Sequence, residues 1–75
     1  MKELALFVVK NLVDKPEAVS VEESRRGDVC VLKLMVDEAD KGKVIGKQGK
    51  VIKAIRAVVG AAASKAGLQV AVEID

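Results

Sequence analysis

Seventy-five residues have room for one hydrophobic core and no second domain, and with 51% hydrophobic and 32% charged residues the chain is too apolar for a disordered segment and too charged for a membrane protein. It has no His, no Trp, no Tyr and one Cys, which removes the commonest general base, the usual zinc ligand sets and any disulfide framework, so neither a metal nor a cofactor is expected. The net charge of +2 conceals a segregation: residues 41 to 72 contain no Asp or Glu, and their seven charges, at Lys41, Lys43, Lys47, Lys50, Lys53, Arg56 and Lys65, are all positive.

A one-signed stretch of this kind sets up a local field that attracts polyanions even when the net charge is small, although a solvated helix face is the plainer reading of charge alone. The longest apolar stretch, Leu4 to Val9, is six residues, too short for a bilayer span or a secretory segment. A cytoplasmic protein is expected.

Residues 2 to 14 place Leu4, Leu6, Val8, Val9, Leu12 and Val13 on a broad helical stripe, with Phe7 on the polar side and Pro16 closing the segment. Val19 and Val21 then alternate with polar residues to give a strand over 19 to 24, and Ser24-Arg25-Arg26-Gly27-Asp28 supplies turn chemistry. The run from Val29 to Val36 is almost continuously apolar, which predicts a central strand with Cys30 as a buried, inert thiol. Asp40 is positioned to cap a short helix through Ile45, and a longer helix follows from Lys50 to Lys65 with Gly67 as its stop signal. On its wheel Val51, Ile52, Ile55, Val58, Val59 and Ala62 share one face, while Lys50, Lys53 and Arg56 lie on the other side. Gln69 to Asp75 alternates again as a last short strand. The order is αββααβ.

The segment richest in chemistry is Val44-Ile45-Gly46-Lys47-Gln48-Gly49-Lys50-Val51-Ile52. Gly46 is suited to a positive φ that ends the first helix, and Gly49 removes a Cβ where a backbone or ligand comes close. Free N–H groups at the start of the following helix, with Lys47 and Lys50 beside them, favour a phosphate diester. A helix-turn-helix joint would also place glycines here, but the flanking aliphatics Ile45, Ile52 and Ile55 and the absence of acids favour a binding loop. A P-loop is excluded, because only three residues separate Gly42 from Gly46-Lys47 and Gln48 offers no hydroxyl.

At these residues the chain resembles a KH domain, whose Gly-x-x-Gly loop between two helices clamps the backbone of about four nucleotides. Over essentially its whole length it is similar to the small bacterial single-KH RNA-binding proteins of the KhpA family. The resemblance implies an α+β fold of type II KH order over residues 1–75, with a three-stranded mixed sheet and three helices packed on one face. It implies a non-enzymatic protein of single-stranded RNA, an RNA chaperone or post-transcriptional regulator; because no residue plainly reads a 2′-hydroxyl, single-stranded DNA is expected to be accepted as well. Gly46, Lys47, Gln48 and Gly49 would form the clamp, with Ile45 and Ile52 near the groove and Lys43, Lys50, Lys53 and Arg56 flanking the phosphates. Arg25 and Arg26 would form the groove's far rim. Self-association, or pairing with a larger KH-containing RNA-binding protein, is implied as well. The alternative is an assembly module whose fold serves mainly dimerisation, for which the small residues Ala54, Ala57, Gly60, Ala61 and Ser64 provide a close-approach patch.

Overall fold

The computed structural model describes all 75 residues. Its elements are α1 (Lys2–Lys10), β1 (Ser20–Arg26), β2 (Val29–Met35), α2 (Lys41–Ile45), α3 (Lys50–Lys65) and β3 (Gln69–Ile74), with single 3-10 turns at Pro16–Ala18, Glu38–Asp40 and Lys47–Gly49. The order is the one expected. α1 is shorter than its apolar stripe suggests. Asn11 ends it by donating from Nδ2 to the Phe7 carbonyl at 2.7 Å, so Leu12 and Val13 lie beyond the helix. The residues α1 buries are Ala5 and Val9. Ala5 was not on the apolar stripe; its small side chain lets the helix backbone sit close to the sheet.

β2 is the central strand, antiparallel to β1 and parallel to β3, as its continuous hydrophobicity predicts. The hairpin is tighter than expected. Arg26 pairs with Val29, so Ser24, Arg25 and Arg26 belong to β1 and the turn is Gly27-Asp28 alone. Gly27, at φ 64°, supplies the left-handed residue that a two-residue hairpin turn needs at its first position. The polar run suggests a turn in the sequence, but the structure makes most of it strand, because an exposed edge strand tolerates polar side chains on both faces.

The register sorts the sheet's two faces. Val21, Leu32, Leu34 and Val72 turn toward the helices and meet Val9, Val44, Ile52, Ile55 and Val59 in one core. Leu32 and Leu34 are fully buried, and truncating either to Ala would cost about 2–5 kcal/mol. The opposite face carries no helix. There the row Glu22, Lys33, Glu73 crosses all three strands, and Val31 is nonetheless only 3% exposed. Arg26 and Glu73, ion-paired at 3.5 Å from opposite edges of the sheet, reach across the central strand on this face.

α3 ends as its sequence predicts. Leu68 N–H bonds back to Ala63 and Gly67 N–H to Ser64, with Gly67 at φ 73°, a Schellman stop that turns the chain into β3. β3 runs antiparallel to α3 on its way back, so its last residues lie toward the start of α3, where α2 and α3 meet. Cys30, expected to be buried, is partly exposed, and its thiol lies 3.8 Å from the Glu23 carboxylate because its neighbours on β1 are polar and open.

Candidate nucleic-acid interface

The bend between α2 and α3 is built from four consecutive residues, three with positive φ and one, Lys47, with ordinary backbone geometry. Gly46 has φ 76° and ψ 171°, and a Cβ on it would lie 2.7 Å from the Val51 backbone nitrogen, so both its dihedral and its surroundings require glycine. Lys47 opens the 3-10 turn, and Gln48 and Gly49 follow in left-handed conformations, at φ 58° and 75°. The reason expected for Gly49 is only half met. Apart from its immediate chain neighbours, no atom comes closer than 3.9 Å to the place of a Cβ there, so its backbone dihedral alone demands glycine and the space above it is open.

No side chain caps the first turn of α3. Its amino end therefore presents partial positive charge to solvent, where an anion is favoured. Lys47, Lys50 and Lys53 lie in the turns beside it and Arg56 further along the helix, and none of the four has an acidic partner. Lys53 Cε passes 3.9 Å from the Cβ position of Gly49, while Lys50 lies on the other flank, beside Leu12 and Val51. Ile45, 37% exposed, sets an aliphatic surface just before the bend. Ile52 is buried at 6% and belongs to the core, so the loop rests on it rather than sharing a ligand with it.

Arg56 lies further along the same side of α3. Its Nε donates to the Val72 carbonyl at 2.9 Å, fixing the guanidinium against the edge of β3. Together with Val70, Ala71 and Glu73 it lines a shallow groove of about 330 Å³ between α3 and β3. This strand edge was absent from the residues singled out in the sequence, since nothing in a strand's side chains announces where its backbone will border a groove.

Lys43 and the two hairpin arginines are placed differently. The Lys43 ammonium bonds to the Asp14 carboxylate, and that hydrogen bond holds its pKa above the ordinary lysine value, with burial working in the opposite direction. Its charge is partly answered within the chain. Arg25 and Arg26 sit at the hairpin, the end of the sheet away from the bend, and Arg26 points to the helix-free face where Glu73 holds it. Asp40 also has another task than the one expected. It caps nothing; its carboxylate is 2% exposed and accepts the backbone N–H groups of Asp14 and Lys15 at 3.2 and 3.0 Å. It thus ties the connection after α1 to the helix that leads into the bend. Asp37 is the residue that caps, accepting from Ala39 N–H at 2.9 Å.

A Gly-x-x-Gly bend joining two helices over a mixed three-stranded sheet in αββααβ order defines a KH domain of the type II arrangement. The chain belongs to the KhpA/KhpB KH-domain family, whose family model matches residues 2–74. It is 54% identical over 74 residues to the RNA-binding protein KhpA of Clostridium perfringens, covering 99% of both chains. It is 45% identical to the RNA-binding protein KhpA of Chlamydia trachomatis, covering 99% of this chain and 95% of that one. The fold is also similar to part of Era as solved in complex with MgGDPNP and a segment of 16S ribosomal RNA, with a TM-score of 0.71 at 22% identity. That match covers 97% of this chain and 28% of Era. No helix of the chain is long and apolar enough to cross a membrane.

Proposed function

We propose that this chain is a single KH domain over residues 1–75 that grips single-stranded RNA by its sugar-phosphate backbone, with Gly46, Lys47, Gln48 and Gly49 as the clamp. One observation carries the reading: an uncapped helix start, opened by two left-handed residues, has Lys47, Lys50 and Lys53 in the turns beside it and Arg56 further along the helix, none with an acidic partner. The KhpA relatives, named as RNA-binding proteins, support it. Lys47, Lys50, Lys53 and Arg56 meet phosphates, Ile45 gives bases an apolar surface, and Lys43 contributes only when Asp14 releases it. With its one aromatic residue, Phe7, 67% exposed on α1 and away from the bend, base stacking is minor and selectivity modest. Single-stranded DNA binds nearly as well. The protein acts in the cytoplasm as an RNA chaperone or post-transcriptional regulator, without catalysis, metal or cofactor.

The test is the double change Lys47→Asp and Gln48→Asp. Both side chains are exposed and Asp tolerates the left-handed region, so the circular dichroism melt should hold while single-stranded RNA binding is lost. Unchanged affinity would remove the clamp.

A second reading, assembly with a larger KH-containing RNA-binding protein or another copy, is favoured by one feature. Val58 is 50% exposed and Leu12 40%, and with Val8, Val51 and Ala54 they leave an apolar groove of about 300 Å³ between α1 and α3. Ala57 and Ala61, both exposed, extend it along α3. Sedimentation equilibrium of Ala61→Glu is the check: weakened association supports this face, and association equal to that of the unchanged chain excludes it.

A further inference from the structure

β3 is an edge strand, and one of its hydrogen bonds tells which way the others point. Asp75 N–H donates to the Leu34 carbonyl of β2 at 3.0 Å. Backbone groups alternate sides along a strand, so Glu73 and Ala71 also turn theirs toward β2, while Val70, Val72 and Ile74 turn their N–H and C=O away from the sheet. The outward groups of Val70 and Val72 border the groove that Arg56 shares with β3. An RNA held at the bend reaches this groove, for Lys53 stands one turn before Arg56 on α3, and Gly49 to Arg56 spans about 10 Å of helix axis.

A bare strand edge offers a base one donor and one acceptor side by side, the N–H and C=O of a single residue. Adenine suits such a pair, since its N1 accepts and its N6 amino group donates. Val72 departs from this pattern. Its carbonyl already accepts from Arg56 Nε at 2.9 Å, which leaves its N–H as a donor. Arg56 adds only further donors, and those on its terminal nitrogens have no partner within the chain. The acid that lines the groove offers no acceptor in exchange, because Glu73 is paired with Arg26 at 3.5 Å on the helix-free face. Abreast of Arg56 the groove therefore presents donors alone.

Guanine, uracil and cytosine each carry a carbonyl oxygen, whose two lone pairs can accept from Val72 N–H and from a terminal N–H of Arg56 together. Adenine has no such oxygen. Its ring nitrogens hold one lone pair each, and its amino group, reaching for what remains of the Val72 carbonyl, meets the guanidinium donor against donor. Taking the chain as a binder of single-stranded RNA, on which this rests, we infer that Arg56 is a specificity-determining residue that excludes adenine from the base position beside Val72. It does so by placing Nε on the carbonyl, so its terminal nitrogens still meet a phosphate. Val70 has no such partner and keeps both its outward groups, which confines the exclusion to one nucleotide.

The experiment is fluorescence anisotropy with short oligonucleotides of adenosine alone and of inosine alone, each shown by circular dichroism to be single-stranded. The base of inosine has the purine skeleton of adenine with a carbonyl oxygen in place of the amino group. The readout is the ratio of the two affinities in the unchanged chain, in Arg56→Met and in Lys53→Met, both at exposed positions. Stacking within each oligonucleotide enters every ratio equally and cancels between proteins. The unchanged chain should prefer inosine. Arg56→Met frees the Val72 carbonyl and should move the ratio toward adenosine by about fivefold, the worth of one hydrogen bond, while the lost charge lowers both affinities. Lys53→Met should lower both affinities and leave the ratio where it was. An unchanged chain that prefers adenosine, a ratio unmoved by Arg56→Met, or one moved as far by Lys53→Met would each overturn the role of Arg56 and leave the RNA-binding reading standing. An unchanged chain that binds neither oligonucleotide would overturn both.

Discussion

The ion pair between Lys43 and Asp14 divides the basic residues near the bend into two kinds, and a salt titration should detect the division. With four unpaired cations, Lys47, Lys50, Lys53 and Arg56, each neutralising one phosphate of a single strand, log K should fall against log salt with a slope of magnitude about 2.8, from about 0.7 per phosphate. Between about 50 and 200 mM salt that is a loss of about fifty-fold in affinity. Lys50→Ala or Lys53→Ala should lower the slope to about 2.1 and the loss to about twenty-fold. Lys43→Ala should leave the slope near its original value, because that charge is already answered. Asp14→Asn should do the reverse: it frees Lys43, the slope rises toward about 3.5, and affinity at low salt increases. The assay is fluorescence anisotropy with several unstructured RNA oligonucleotides and their DNA counterparts. A slope that drops equally for Lys43→Ala and Lys50→Ala would refute the reasoning, and so would a flat salt response, since either would show that internal pairing does not decide which cations reach the phosphates.

The two glycines of the bend should differ in urea unfolding: Gly49→Ala bears only the left-handed strain, about 1–2 kcal/mol, whereas Gly46→Ala adds a collision with the Val51 backbone and should cost clearly more. Equal losses would contradict the crowding at Gly46. Asp40→Ala leaves two backbone N–H groups without their acceptor and should destabilise the chain by about 2–4 kcal/mol in the same assay, and a change under about 0.5 kcal/mol would mean that water replaces the carboxylate. Because the folded Lys43 has a raised pKa, its contribution to stability is complete below the ordinary lysine pKa and fades as pH rises through the higher folded value. Unfolding measured from pH about 9 to 12 should show this small alkaline decline in the unchanged chain and not in the Asp14→Asn variant.

Periodicity and punctuation were enough to recover the order of elements, the central strand and the bend, because each rests on local chemistry. The continuous run from Val29 to Val36 has no room for a polar face, Gly67 has few roles after a helix, and Gly46 and Gly49 stand where two helical patterns meet. What could not be read depends on residues distant in sequence. Asp40 looked like a cap because caps are local, yet its carboxylate serves backbone groups 25 and 26 positions earlier. Lys43 and Arg56 both looked like free cations. Only the folded chain brings Asp14 to one and the Val72 carbonyl to the other. The same holds for α3, whose wheel grouped Val51 and Val58 with the core; α1 is too short and too displaced to cover that flank, and the groove is the result.

The bond from Arg56 to the Val72 carbonyl has an effect on what the sheet can become. An uncovered strand edge is a template, and a short protein with two such edges can extend from either one into a filament. Here one edge has an acceptor already occupied by a side chain anchored on α3, so an incoming strand would have to evict Arg56 before it could zip along β3. Extension is left with a single starting side. That bond makes Arg56 a terminator of β-stacking as much as a neighbour of the groove.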